Sequence, residues 1–182
     1  VLKKGMTNRS FLFECKGDKY IMRIPGEGTD QLINRINEFN VYKCIKGLGL
    51  CDDPVYINPD NGYKITKFLK GVRTCDPLDD IDLIKCMHKL KEFHSLNIEV
   101  QHSFDIFEQI EFYEYLGGGK NSMYRDYSDT KFKVLSLKRY IESNIDQVCL
   151  THIDAVPDNF LFHSIGDEEK LQLTDWEYSG MQ

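Results

Sequence analysis

Five polar side chains near the carboxyl end of the sequence have the types and the spacing that phosphoryl transfer requires. His152, Asp154 and Asn159 form an H-x-D-x-x-x-x-N segment, and Asp175 and Glu177 follow the next apolar run. Phosphoryl transfer needs a carboxylate beside the attacking hydroxyl and oxygen ligands for the Mg²⁺ that binds the nucleotide phosphates. These five residues supply both, so the sequence predicts a small-molecule kinase.

The elements around these residues predict how they come together. Two short β-prone runs, residues 148–151 and 159–162, flank a loop that contains a proline. Asp154 is then expected at the exit of the first strand, and the asparagine that opens the second is expected to face the same cleft. The alternating run 171–174 is a further strand, which would deliver Asp175 beside that asparagine.

Each of these residues taken alone has a simpler interpretation. Asp154 and Asp158 would cap turns, and His152 would be a hydrogen-bonded histidine of the core. The ordered set favours the phosphoryl-transfer site, because a motif is supported by the structural context in which it lies.

Two segments of this region resemble the choline/ethanolamine kinases, particularly the bacterial choline kinases. They are H-I-D-A-V-P-D-N-F at residues 152–160 and L-T-D-W-E-Y-S-G-M at residues 173–181. The second is the more specific, since the first also fits aminoglycoside, thiamine and homoserine-type kinases. The resemblance extends from about Gly5 to the last residue.

This resemblance implies the aminoglycoside-phosphotransferase and protein-kinase-like fold, which is α+β and two-lobed. Residues 1–71 would form a nucleotide-binding N-lobe, with an antiparallel sheet and one helix. Residues 72–182 would form a mainly helical C-lobe that carries the catalytic and metal-binding loops. Because the sequence starts at Val1 and stops shortly after Tyr178, we expect a C-lobe truncated before the helices that complete the substrate pocket.

In the family, the N-lobe binds the phosphates of ATP. The turn at residues 5–9 is expected to cover them, with help from Thr7 and Asn8, although an ordinary hairpin explains its single glycine equally well. Arg23 stands where most kinases have a phosphate-binding lysine, and choline kinases resemble this chain in using arginine there. Glu38 is expected to pair with Arg23; its alternative is a solvated surface glutamate.

The hinge between the lobes is the expected adenine site. A hairpin over residues 55–57 and 63–69 leads into it. The backbone of residues 67–69 would bond the adenine edge, and Phe68 and Leu69 would be the apolar contacts.

Apolar residues at three- and four-residue steps predict the helices. The predicted ranges are residues 30–45 with Thr29 or Asp30 as the N-cap, 81–96, 104–116, and 130–143 with Ser128 as the cap. The glycine-rich segment 117–122 lacks the G-x-x-x-x-G-K-[ST] pattern of a phosphate-binding loop, so we interpret it as an ordinary loop.

The resemblance also implies a role for each residue of the first set. Asp154 would accept the hydroxyl proton of choline, with His152 supporting its loop and ATP as the phosphoryl donor. Mg²⁺ would be bound by Asn159 and Asp175, and Glu177 would reach a second Mg²⁺.

A quaternary ammonium offers no hydrogen-bond donor, so its pocket is expected to use aromatic faces and nearby carboxylates. Tyr178 is the main aromatic candidate and Trp176 the second, although a position beside a metal ligand also fits a packing role; Asp154 and Glu177 would supply the carboxylates. Two alternatives remain open. One is a kinase for ethanolamine, thiamine or an aminoglycoside, and the other is a kinase-like module that binds without transferring phosphate.

Composition narrows the class of partner. The 182 residues are 41% apolar and 29% charged, which is typical of a globular protein. The net charge of −6 disfavours nucleic acid as a partner, and no apolar run approaches the roughly 20 residues that cross a membrane. The six cysteines have no metal-binding spacing and indicate reduced thiols of a cytoplasmic protein. A small molecule is the expected partner, and the oligomeric state is left open.

Overall fold

Antiparallel strands form the sheet of the N-terminal lobe. The computed structural model describes residues 3–4, 7–120, 122–166 and 168–182, and its α+β, two-lobed architecture agrees with the prediction. Lys16 and Gly17 connect the two longest strands with φ of 53° and 87°, as a two-residue hairpin turn requires. In the order β1-β2-β3-β5-β4, the strands are β1 (Lys3–Lys4), β2 (Asn8–Cys15), β3 (Asp18–Pro25), β4 (Tyr56–Ile57) and β5 (Lys64–Lys67).

The predicted phosphate turn is shorter than residues 5–9. Asn8 and Arg9 already belong to β2, where they pair with Pro25 and Ile24 of β3. Gly5 and Met6 lie outside the described residues. Thr7 is therefore the described residue of the turn, and Asn8 holds its position through the sheet.

Helix α1 (Arg35–Ile45) packs against this sheet, and it begins later than predicted. The side chain of Asn34 caps it by accepting hydrogen bonds from the amides of Ile36 and Asn37, so neither Thr29 nor Asp30 is the N-cap. Residues Thr29–Gln31 form a separate 3₁₀ turn. Asn34, four residues downstream of Asp30, is the N-cap instead. The apolar spacing alone does not distinguish a helix that begins at residue 30 from one that begins at residue 35.

Four α-helices lie in the described part of the C-terminal lobe. Asp79 caps the first and Asp105 the second, each by accepting from backbone amides of the first turn. The predicted helix 130–143 is two helices that meet at Leu137, and Ser128 lies inside the first of them rather than at its cap. The helices are α2 (Asp80–Ser95), α3 (Ile106–Leu116), α4 (Tyr127–Ser136) and α5 (Lys138–Ser143).

Short strands position the loops of this lobe. The antiparallel pair β8–β9 carries β6 at one edge, and β7 pairs with β10. The turns after β7 and β9 thereby come close to the same cleft. These strands are β6 (Arg73–Thr74), β7 (Leu150–Thr151), β8 (Phe160–Ile165), β9 (Glu168–Leu173) and β10 (Gly180–Met181).

One cluster of buried side chains connects the two lobes. Val41 and Ile45 of α1 pack in the same core as Phe93 of α2 and Leu173 of β9. The amide of Leu173 also donates to the carbonyl of Leu50, at 2.8 Å. This shared core fixes β9, and the residues that follow it, against the N-terminal lobe. The division at residue 71 remains a prediction.

The helices in the described part of the chain are all too short or too polar to cross a lipid bilayer.

Candidate active site

A cavity of about 690 Å³ lies between the two lobes, which is the size of a small-molecule site. Both lobes contribute to its wall, and most of the predicted site residues meet there. Those that line it are Thr7, Asn8, Arg23, Phe68, Leu69, Asp154, Asn159, Asp175, Glu177 and Tyr178. His152, Glu38 and Trp176 do not line it and are buried.

The loop after β7 presents Asp154 to the cavity. Ile153 has a φ of 69°, a conformation that a β-branched residue rarely adopts. Asn159 holds the loop closed, because its side-chain amide donates to the carbonyl oxygen of Asp154 at 2.9 Å and to Oδ2 of Asp154 at 3.2 Å. Since the nitrogen of Asn159 is used in this way, its side-chain oxygen is left for a ligand in the cavity.

His152 supports this loop from behind. Its Nε2 donates to the carbonyl of Thr174 at 2.9 Å, and its ring packs edge-on against Trp176 with 4.5 Å between centroids. Burial lowers the pKa of His152 to about 4, so the ring is neutral at physiological pH. The histidine therefore connects the Asp154 loop to Thr174, the residue before Asp175. Its supporting role in catalysis remains a prediction.

Asp175 follows β9 and points into the cavity. Its φ of 67° is a left-handed conformation, which aspartate tolerates better than most residues. Burial and the neighbouring Glu177 carboxylate raise the pKa of Asp175 to about 6. Arg23 lies 3.6 Å away, without a hydrogen bond between them. Asp175 is therefore a carboxylate whose negative charge is only partly compensated.

Asn159 and Asp175 fit a Mg²⁺ ion. The amide of Thr174 donates to the backbone carbonyl of Asn159 at 2.9 Å, which brings the two neighbouring strand ends together. Each residue offers a side-chain oxygen to the cavity, and Mg²⁺ commonly takes one or two protein ligands and completes its octahedron with phosphates and water. No group of three or more His, Cys, Asp or Glu side chains within the described ranges is arranged to bind a metal.

Glu177 is arranged differently from the prediction that it reaches a metal ion. Its carboxylate accepts hydrogen bonds from Thr7 at 2.8 Å, from Asn8 at 2.9 Å and from Arg35 at 3.0 Å. All three donors belong to the N-terminal lobe. In this arrangement Glu177 connects the lobes, and its carboxylate is mainly engaged by these three donors rather than directed at a metal site.

The predicted pair of Arg23 and Glu38 is confirmed. Nη1 and Nη2 of Arg23 donate to Oε1 and Oε2 of Glu38, at 2.5 and 2.8 Å. Burial by itself would raise the pKa of Glu38, but the hydrogen bonds and the charge of Arg23 outweigh it, and the pKa is lowered. Glu38 is a buried anchor rather than a surface glutamate, and it fixes Arg23 at the cavity wall.

The hinge end of the cavity is apolar. Ile21 of β3 and Leu161 of β8 line it from opposite lobes, together with Phe68 and Leu69. The amide of Phe68 donates to the carbonyl of Lys19 at 2.9 Å, so it is not available to a ligand. The amide of Leu69 has no hydrogen-bond partner among the described residues. This result excludes the amide of Phe68 from the predicted contact between the backbone of residues 67–69 and the adenine edge.

Two buried cations of the site escaped the sequence analysis. Lys64 lines the cavity and donates to the hydroxyl of Tyr42 at 2.5 Å and to Asp52 at 3.1 Å. It lies beside Arg23, because the two residues pair in register across β3 and β5. Arg35 bonds both Glu38 and Glu177. Sequence spacing could indicate the (i, i+3) pair of Arg35 with Glu38 but not the contact with Glu177, whereas a correct strand register would have indicated Lys64.

The two aromatic candidates for substrate binding, Trp176 and Tyr178, differ in whether they reach the cavity. Trp176 has no exposed surface, packs edge-on against Phe93 at 5.0 Å and donates its Nε1–H to the carbonyl of Leu173 at 3.0 Å. The prediction that it contacts substrate is therefore wrong, and the packing role that its position also fitted is the one observed, since Asp175 lines the cavity whereas Trp176 is buried. Tyr178 lines the cavity. Burial and the nearby Glu177 raise the pKa of Tyr178 to about 12, so its hydroxyl stays neutral.

Known proteins share both the sequence pattern and the fold. Protein LicA of Haemophilus influenzae is 28% identical over 184 residues, which cover 97% of this chain and 52% of that protein. The crystal structure of choline kinase LicA from Streptococcus pneumoniae matches with a TM-score of 0.84 at 30% identity, over 98% of this chain and 63% of the other. A structure of LicA in complex with AMP matches with a TM-score of 0.79, also at 30% identity, over 98% of this chain and 61% of the other.

More distant proteins share the fold alone. The aminoglycoside phosphotransferase APH(4)-Ia matches with a TM-score of 0.65 at 17% identity, over the whole of this chain and 66% of the other. The chain thus spans between about half and two thirds of the length of these relatives. A sequence model described as choline/ethanolamine kinase matches all of residues 1–182, and the chain belongs to the choline/ethanolamine kinase family.

Proposed function

We propose that this chain carries the nucleotide-binding and catalytic residues of a kinase that transfers phosphate from ATP to the hydroxyl of choline. The observation that carries the proposal is the convergence of Asp154, Asn159, Asp175 and Arg23 on one cavity. An acceptor for a proton, oxygen ligands for a cation and a fixed guanidinium are the groups that phosphoryl transfer to an alcohol uses.

ATP would lie along the cavity from the hinge to Asp175. The adenine would lie between Ile21 and Leu161, with the amide of Leu69, which has no partner among the described residues, as a donor at its edge. The phosphates would lie beneath Thr7, where Arg23 offers a cation that Glu38 holds in place. The match to LicA in complex with AMP supports a nucleotide in this fold.

Asn159 and Asp175 would hold Mg²⁺ at the phosphate end. When bound, the ion neutralises charge on the β- and γ-phosphates and helps to orient them. The raised pKa of Asp175 fits this assignment, because a partly uncompensated carboxylate gains from a nearby cation.

Asp154 would receive the proton of the choline hydroxyl. It makes no ion pair with any described residue, so its carboxylate stays free to accept a hydrogen bond from substrate. Asn159 and the strained residue Ile153 fix its direction. Asp154 aligns the attacking oxygen with the γ-phosphorus, and the rate enhancement comes mainly from this positioning and from charge stabilisation.

The trimethylammonium group of choline would lie against Tyr178. The ring lines the cavity close to Glu177 and Asp154, which supply negative charge. Cation–π contact is the favourable interaction open to a quaternary ammonium, since it carries no N–H.

The six unpaired cysteines and the use of ATP suit the cytoplasm, where we place the protein.

ATP consumption by the full protein, measured with choline, ethanolamine, thiamine and an aminoglycoside, tests the proposal. We expect choline to give the highest kcat/KM. The variant Asp154→Asn should lower kcat by roughly 10²- to 10⁴-fold, the usual contribution of a general base, while ATP affinity stays within about threefold. Unimpaired turnover in this variant would overturn the role of Asp154, and preference for another acceptor would overturn choline as the substrate.

A further inference from the structure

Arg35 is buried at the junction of the two lobes, beside the cavity but outside its lining. Its side chain is 8% exposed. Nη1 donates to Glu38 of the same helix and to Glu177 of the other lobe, at 3.0 Å each. Nη2 donates to the side-chain oxygen of Asn8 at 3.3 Å. One guanidinium therefore contacts α1, β2 and the segment after β9.

The β4–β5 turn keeps Arg35 in this position. Gly62 has a φ of 67°, and a Cβ at this position would lie 2.9 Å from Cδ and Nε of Arg35 and 2.7 Å from Cγ of Pro25. The turn thus packs directly on the aliphatic part of the arginine. The side chain is confined from the turn side as well as by its hydrogen bonds.

Arg35 also limits where the Glu177 carboxylate can lie. Oε2 of Glu177 accepts from both Arg35 and Asn8, and Oε1 accepts from Thr7. Glu177 is two residues beyond Asp175, so fixing its carboxylate also fixes the end of the segment that carries Asp175. Because Arg35 contacts Asn8 too, it aligns the phosphate turn with that segment.

We propose that Arg35 is a positioning residue that sets the alignment of the phosphate turn and Asp175 by holding Glu177 across the cleft. The proposal rests on the proposed function, since it assigns the aligned groups to Mg²⁺ and the nucleotide. Arg35 does not line the cavity, so it would touch neither ligand. Its planar fork reaches Glu38, Glu177 and Asn8 together, which the single ammonium of a lysine cannot reproduce.

Simple charge repulsion predicts the opposite result. Two guanidinium groups, Arg23 and Arg35, face the three carboxylates of Glu38, Asp175 and Glu177. If Arg35 acted only through its charge, its removal would strengthen the binding of a cation at Asp175. If it acts by alignment, its removal weakens that binding. The direction of the change in cation affinity therefore distinguishes an effect of charge from an effect of alignment.

Calorimetric titration of the full protein with ADP, with and without Mg²⁺, tests the proposal. For Arg35→Gln we expect the affinity for Mg–ADP to fall by roughly 10- to 100-fold, the usual loss when a group that orients a metal ligand is removed. The affinity for ADP without Mg²⁺ should change by less than about threefold, because Arg23 and the adenine contacts remain. Arg35→Lys, which keeps the buried charge, should recover less than half of the loss in binding free energy.

Arg73→Gln is the matched control. Arg73 also makes a two-nitrogen ion pair with a buried carboxylate, that of Asp82, but it does not line the cavity. We expect it to leave both ADP affinities unchanged. In the background of Glu177→Gln, the further change Arg35→Gln should have little additional effect, because Arg35 acts through Glu177.

The outcomes separate this proposal from the proposed function. If the unaltered protein does not bind ADP with or without Mg²⁺, the proposed function fails. If it binds and Arg35→Gln binds Mg–ADP equally well or more tightly, the positioning role is overturned. Equal weakening with and without Mg²⁺ would also overturn it, since that result indicates general damage to the lobe. If Arg35→Gln does not fold by circular dichroism, Arg35→Lys carries the test, and full affinity for Mg–ADP in that variant would overturn the role.

Discussion

The two sides of the cleft differ in how fully their carboxylates are already hydrogen-bonded. On one side, which we call the paired face, Arg23, Arg35, Glu38 and Glu177 bond one another, and every carboxylate oxygen accepts a hydrogen bond. On the other side, the open face consists of Asp154, Asn159, Asp175 and Tyr178. Among the residues that the structure describes, Asp154 accepts one side-chain hydrogen bond, from Asn159, and Asp175 accepts none and lies 3.6 Å from Arg23.

This difference indicates a structural role for one face and a chemical role for the other. The charged groups of the paired face are almost fully buried, and a buried ion pair holds its partners in one geometry because either partner alone would be a costly isolated charge. The open face keeps lone pairs available for a cation and a proton. We therefore propose that the paired face mainly fixes the position of the lobes and of Arg23, and that the open face supplies the reacting groups.

Glu38→Gln breaks the paired face and has the largest expected effect on stability. It leaves Arg23 and Arg35 without their shared carboxylate, and removing one partner of a buried pair costs about 3–5 kcal/mol. Urea denaturation measures the free energy of unfolding. Glu169→Gln is the control, because it removes a carboxylate of an exposed ion-pair group, which contributes about 0–1 kcal/mol. Equal losses in the two variants would contradict a structural role for the paired face.

The pH dependence of the free energy of unfolding tests the role of His152, which lies behind the loop that carries Asp154 of the open face. The unfolded imidazole of His152 binds a proton near pH 6.5, whereas the folded one does so only near pH 4, because burial lowers its pKa. Between these values the unfolded state holds more protons, so stability is full above pH 6.5 and declines as the pH falls towards 4, by about 3 kcal/mol.

His152→Gln isolates this contribution, since glutamine can still donate to the carbonyl of Thr174. We expect the variant to lose less stability than the unaltered protein between pH 7 and pH 4 in urea denaturation. Asp175 acts in the opposite direction, because its raised pKa means that protonation favours the folded state. Because Asp175 is present in both proteins, its contribution cancels when the stability of the variant is subtracted from that of the unaltered protein at each pH. Parallel stability curves would indicate that His152 is already solvated.

Tyr178 gives the smallest expected effect, and it concerns the open face alone. Tyr178→Leu should raise the KM for choline by roughly 2- to 30-fold, which corresponds to a cation–π contact of about 0.5–2 kcal/mol. Tyr178→Phe keeps the aromatic ring and should leave the KM nearly unchanged. Steady-state kinetics with ethanolamine sharpen the test, because its ammonium can donate hydrogen bonds and depends less on the ring. A loss as large with Phe as with Leu would assign the effect to the hydroxyl.

Sequence patterns found those site residues whose spacing is local. The segment from His152 to Asn159 forms one loop, and Asp175 follows the next strand, so short-range periodicity was sufficient to bring them together. The pair of Arg23 and Glu38 joins a strand to a helix, and the family resemblance supplied it. The α+β fold followed from the same resemblance, whereas exact helix starts depended on caps such as Asn34.

Contacts between distant elements could not be read from spacing. Arg35 owes its role to a carboxylate 142 positions away, and Lys64 owes its place to the register of two strands. The residue type of Trp176 suits an ammonium and its position also fits packing, and sequence alone does not decide between them; the left-handed conformation at Asp175 accompanies a Trp176 side chain that lies in the core. The break at Leu137 lies within a run whose apolar spacing continues through it.

The buried indole beside Asp175 gives the protein an optical probe of its own. Trp176 is the only tryptophan in the sequence, and it is enclosed by Phe93 and His152. Its emission comes from a single site, directly adjacent in the chain to the carboxylate that we assign to the cation. We therefore expect occupancy of the cleft to change the intrinsic fluorescence, which would report binding without a label and without turnover.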